Sequence, residues 1–115
     1  MPTRLTLTDP NLLPIQAFFN AVGDASFLRV IECLTKGVGF SINDVDCSFP
    51  GDLDPGDESF DGVRFSLFEQ RIVISTDELW HYLEIVCKAY IAGSPKDETI
   101  LGEYLRRKGF SRLDR

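Results

Sequence analysis

The stretch Val63–Glu78, VRFSLFEQRIVISTDE, changes its hydrophobic period partway along, and that change decides the fold. Val63, Phe65 and Leu67 alternate with other side chains, the period of a strand with one buried face. Ile72, Val73 and Ile74 follow a polar Glu69-Gln70-Arg71 turn, so the two runs read as a β-hairpin. Ser75-Thr76-Asp77-Glu78 is then a capping box, with a hydroxyl at the cap and a carboxylate three residues on. Beyond it Leu79, Tyr82, Leu83, Val86, Cys87 and Tyr90 recur at helical spacing as far as Gly93. A hairpin that runs straight into a helix, with no crossover to a parallel strand, belongs to an α+β architecture.

Working upstream, Val38, Phe40 and Ile42 alternate, and Val45, Cys47 and Phe49 alternate again in a shifted phase. The slip falls at Asn43-Asp44 and marks a turn or bulge between two short strands. Pro50 to Ser59, rich in Gly, Pro and acids, is a loop. Nearer the start, Ile15, Phe18, Phe19 and Val22 lie on one face of a helix over Pro14–Val22 that Gly23 ends. Asp24 is placed to cap a second helix, whose inner side carries Phe27, Leu28, Ile31 and Leu34 and which Gly37 closes. Downstream, Ser94-Pro95 opens a last helix with Ile100, Leu101, Tyr104 and Leu105 facing inward. The expected fold is therefore α+β: two N-terminal helices, a small antiparallel sheet built from two hairpins, and two C-terminal helices. Residues 1–115 form a single domain on this reading.

A hydrophobic content of 43% excludes disorder as the default, and no apolar run approaches the ~20 residues that span a bilayer. The opening residues carry no secretory pattern, and Cys33, Cys47 and Cys87 sit at wide spacings among apolar neighbours. They read as reduced core thiols of a cytoplasmic protein. An isoelectric point near 4.6 argues against direct binding to nucleic acid or to an anionic membrane.

The inventory for catalysis is thin. His81 is the only histidine, and Asp77, Glu78 and Glu84 lie within about a turn of it. A carboxylate-oriented imidazole is conceivable there, yet an exposed helix residue in weak ion pairs accounts for the same pattern. No nucleophile elbow or phosphate-binding glycine loop occurs. Asp52-Leu53-Asp54-Pro55-Gly56-Asp57 resembles a calcium loop only briefly, because Gly56 falls one position early and Val63 stands where the last ligand belongs. No catalytic residue, cofactor or metal is assigned.

Charge is the distinctive feature. The net charge of −6 originates in Gly37–Val63, which holds Asp44, Asp46, Asp52, Asp54, Asp57, Glu58 and Asp61 and no Lys or Arg. With 12 bases in 115 residues, a mixed surface would place about three in that stretch. A solvated acidic loop is the plain alternative, but clustered carboxylates repel one another unless a cationic partner relieves them. Phe49 and Phe60 at its edges serve either the core or an interface, and Phe60, Phe68 and Trp80 are the apolar side chains that could anchor one.

Ala17-Phe18-Phe19-Asn20 with Gly23-Asp24, Cys47-Ser48-Phe49-Pro50 with Asp52-Leu53-Asp54-Pro55, and Phe60-Asp61-Gly62-Val63-Arg64-Phe65 together resemble the ribonuclease-toxin immunity proteins called CdiI. The Ile72-Val73-Ile74-Ser75 strand and the Tyr90 to Asp97 helix junction extend the likeness from about Pro14 to Leu105. These proteins belong to bacterial contact-dependent growth inhibition. The resemblance implies a cytoplasmic, non-enzymatic protein that binds the C-terminal toxin domain of a CdiA-type effector. It implies a basic ribonuclease as the partner and transfers no contact residue.

A toxin-binding surface of Asp44, Asp46, Asp52, Asp54, Asp57, Glu58, Phe60 and Asp61 follows from combining that implication with the charge, in a chain expected to be monomeric. The alternative is an acidic adaptor that mimics phosphates toward another basic protein. Arg106, Arg107, Lys108, Arg112 and Arg115 form a basic tail, read as a helix end favoured by the dipole. Docking on the acidic loop, or on an acidic patch of the partner, remains open for it.

Overall fold

A computed structural model describes residues 5–52, 56 and 60–106, with the backbone alone at residue 52. Helices α1 (Leu13–Ala21) and α2 (Phe27–Thr35) come first. Strands β1 (Phe40–Ile42), β2 (Val45–Ser48), β3 (Val63–Leu67) and β4 (Gln70–Ile74) follow, then α3 (Thr76–Gly93) and α4 (Glu98–Arg106). The strands form one antiparallel sheet in the order β1-β2-β3-β4. The α+β expectation is borne out.

Register assigns the two faces of the sheet. Phe40, Cys47, Phe65 and Ile72 lie in one cross-strand row, and Ile42, Val45, Leu67 and Gln70 in another. These rows look inward, where Val45, Cys47, Val63, Phe65 and Ile74 are buried. Helix α1 crosses that face over β2, β3 and β4. Its Phe18 and Phe19 meet Phe65 with ring centroids 5.5 and 5.8 Å apart, in the edge-on and tilted arrangements aromatic quadrupoles favour. The intervening rows, Ser41-Asp46-Ser66-Arg71 and Ser48-Arg64-Val73, look outward.

The remaining helices pack on one another. Phe27 of α2 stacks on Tyr90 of α3 at 4.2 Å, and α2 also meets α4. Trp80 is 2% exposed, and its indole Nε1 donates to the Leu105 carbonyl at 3.0 Å, tying α3 to α4. Trp80 is therefore core and not an interface anchor. A helical stripe drawn for one buried side of α3 misses it, because α4 covers a second side. Cys47 and Cys87 are buried and Cys33 half-buried, all as free thiols.

Helix ends follow local chemistry. The capping box forms as expected: the Glu78 amide donates to Ser75 Oγ at 3.1 Å, and the Ser75 amide to Glu78 Oε1 at 3.0 Å. Helix α2 closes in a Schellman motif, with Gly37 at φ +77°, its amide on Leu34 O and the Val38 amide on Cys33 O. Asp24 does not cap α2. It opens a 3₁₀ turn, Asp24–Ser26, because the Gly23 carbonyl accepts from the Ser26 amide at 3.1 Å and the chain tightens before the helix begins.

The start of the chain is stitched along α1. Asn20 accepts from the Leu5 amide at 3.0 Å and donates back to the Leu5 carbonyl at 2.9 Å, and Leu5 is buried. Among the described residues, no helix is long and apolar enough to cross a membrane.

Candidate functional site

The surface of the sheet turned away from α1 is its outward face, bordered by the two ends of the sheet. Serines occupy three of its positions, Ser41, Ser48 and Ser66, and leave it low. Asp46 stands exposed between Ser41 and Ser66, and Arg71 ends the same row. In the next row the Arg64 guanidinium lies 4.9 Å from the centre of the Phe60 ring. A stretch without bases in sequence is thus not without bases in space. Strands β3 and β4 bring Arg64 and Arg71 onto the face that Asp46 occupies.

The acidic positions separate toward opposite ends. Asp44 lies in the β1–β2 loop, beyond the Ile42–Val45 pair. Asp61 precedes β3, beyond the Val63–Ile74 pair. The five residues of β3 lie between those levels, about 17 Å at ~3.3 Å per residue. Both carboxylates are exposed. Asp52 contributes backbone to the 3₁₀ turn Pro50–Asp52, and Asp54, Asp57 and Glu58 lie outside the described residues. So do Arg107, Lys108, Arg112 and Arg115 of the basic tail.

At the Asp61 end, packing dictates geometry. Gly62 holds φ +98°, and a Cβ there would overlap the Ile74 carbonyl oxygen. The chain enters β3 against the end of β4 only because no side chain intervenes. Asp61, Gly62, Ile74, Ser75 and Thr76 border an open depression of about 360 Å³ beside the start of α3. Phe49 is 6% exposed and belongs to the core, while Phe60 is half-buried beneath Arg64.

The Asp44 end is built differently. The β3–β4 loop is Phe68-Glu69, two residues between paired Leu67 and Gln70, and Gln70 and Arg71 already belong to β4. That shifts the expected Glu69-Gln70-Arg71 turn back by one position and shortens it. Both hairpin loops place their first residue at positive φ, Asn43 at 53° and Phe68 at 54°. The Phe68 amide donates a long 3.4 Å hydrogen bond to the Asp44 carbonyl, so the two loops lie side by side. Phe68 is 74% exposed, whereas the other described phenylalanines are buried or half-buried. Glu69, outside the base-free stretch, shares this end of the sheet with Asp44 and stands on the other side of Phe68 from it. Only the alignment of the two hairpin ends reveals it.

His81 is exposed on α3, its ring 5.5 Å from Tyr82, and Glu78 is engaged in the capping box. Among the described residues, no group of three His, Cys, Asp or Glu side chains is placed to hold a metal ion. The immunity-like sequence motifs are largely structural: Phe18, Phe19, Cys47, Phe49, Val63 and Phe65 are core, Asn20 clamps Leu5, and Gly62 permits the entry to β3.

Residues 11–105 match the family model described as CDI immunity protein. No curated protein matches the chain.

Proposed function

The chain belongs to the CDI immunity protein family, and from that premise we propose that it neutralises a cognate ribonuclease toxin domain by stoichiometric binding. CDI denotes contact-dependent growth inhibition. The toxin would be the C-terminal part of a CdiA-type effector, and the encounter would take place in the cytoplasm. The family match over residues 11–105 carries the reading, and the origin of the net charge of −6 in Gly37–Val63 supports the choice of a basic target.

The physical logic is short. A ribonuclease holds a polyanion, so its cleft is lined with Lys and Arg. Carboxylates on Asp44, Asp46 and Asp61, with Asp52, Asp54, Asp57 and Glu58 in the same stretch, are attracted to that cleft and can stand in for phosphates. Long-range attraction speeds capture toward ~10⁸ M⁻¹s⁻¹ at low salt, and salt slows it. Affinity still requires a desolvated apolar centre, because charge at a wet rim adds little.

The test is co-purification with the toxin domain of the adjacent reading frame, followed by RNA cleavage with increasing amounts of this protein. Cleavage should cease near one equivalent. Undiminished cleavage in the presence of excess protein would contradict the reading.

A further inference from the structure

We propose that the Asp44–Phe68 end of the sheet is a nucleotide mimic: the Phe68 ring occupies a base subsite of the toxin, and Asp44 and Glu69 occupy flanking phosphate subsites. The inference rests on the immunity function proposed for the chain and names its point of contact. An RNA-cutting site must accept a flat aromatic base between anionic groups, and protein subsites for bases commonly stack them on aromatic or guanidinium planes. An exposed phenyl ring bordered by carboxylates offers the same order of chemistry. Asp46, one outward row further in, extends the acidic border, and Arg71 at the far end of that row is the nearest base the register places there.

Folding does not account for Phe68. The first position of a two-residue hairpin loop at positive φ favours glycine, and asparagine tolerates it. The neighbouring loop has Asn43 there. Phe68 instead puts a bulky side chain in the left-handed region, at φ 54°, and leaves its ring 74% exposed. Among the described residues, Phe68 is not one of those packed against the core, so no such contact recovers that cost. The ring is also well prepared for binding, since two hairpins brace its backbone through the bond to Asp44 and phenylalanine has only two side-chain torsions to fix.

The experiment uses the full chain and the purified toxin domain, with Phe68→Gly, Phe68→Asn and the pair Asp44→Asn/Glu69→Gln. Both Phe68 variants should melt no lower than wild type and lose affinity by roughly 30-fold, mainly through faster dissociation. The paired charge variant should slow association by a few-fold at low salt. A 2′-O-methyl RNA oligomer, which the toxin can bind but not cut, should compete with wild-type protein.

Wild-type protein that fails to bind the toxin at micromolar concentration overturns the immunity function itself. Binding that both Phe68 variants retain, or that saturating oligomer leaves untouched, overturns only the nucleotide mimic. Melting temperatures lowered in both variants make Phe68 structural and overturn it too. A wild-type dimer that both variants dissolve assigns the ring to a second copy of the chain and likewise overturns the mimic.

Discussion

The two ends of the sheet solve similar backbone problems with opposite residues. Where β3 begins, φ is +98° and the residue is Gly62, because any Cβ would strike the Ile74 carbonyl. Where β3 ends, φ is 54° and the residue is Phe68, with its ring in solvent. At the first end the side chain obeys the backbone. At the second it defies the backbone at about 1 kcal/mol, without joining the core that the described residues form. A local rule kept marks a position selected for folding, and a local rule broken without compensation points to selection for something else.

Substitutions at the two ends should therefore diverge. The largest effect is expected from Gly62→Ala, which adds the overlap with Ile74 to an unfavourable φ and should cost about 3 kcal/mol or more in urea unfolding. Toxin affinity per folded molecule should hold. Phe68→Gly should do the reverse, gaining about 1 kcal/mol of stability by relieving the left-handed strain while weakening toxin binding. If both substitutions destabilise, the contrast between the ends is broken. Among charges, Asp44→Asn with Glu69→Gln should reduce the association rate more than Asp61→Asn does, and ~0.5 M salt should erase the difference in stopped-flow traces.

A further expected effect, absent at neutral pH, lies away from both ends. Burial, and then the nearby Glu84 carboxylate, push the Cys87 thiol up from an ordinary 9.0 to about 12. The folded protein keeps this thiol neutral where the unfolded chain ionises it, so its contribution to stability is intact below about pH 9 and is lost as pH rises toward about 12. Urea midpoints should accordingly be flat from about pH 7 to 8.5 and decline above about 9. The decline should be the same in wild type and in the end variants, since neither end touches α3 at Cys87.

The switch from period two to helical period, the capping box and most of each helix's inward face were legible in the sequence because each is a local pattern, although Val30 and Thr35 of α2 are buried beyond the expected stripe. Trp80 was not, since its burial depends on α4 meeting α3 through Leu105. Asp24 has the chemistry of a cap, but the Gly23–Ser26 bond tightens the chain into a 3₁₀ turn first. The Phe68-Glu69 turn was hidden because a phenylalanine gives no turn signal, and Glu69 lies beyond the base-free run of acids. Charge was legible as composition and not as a surface. Register alone sets Arg64 and Arg71 on the face of Asp46 and sends Asp44 and Asp61 to opposite ends.

Amide hydrogen exchange of the full chain, alone and with one equivalent of toxin domain, tests most directly which end meets the partner. Slowed exchange should appear over Asp44–Asp46 and Ser66–Glu69 while Asp61–Val63 and Ser75–Glu78 stay unchanged. Slowing confined to Asp61–Val63 and Ser75–Glu78 would contradict the assignment of the Asp44–Phe68 end as the point of contact.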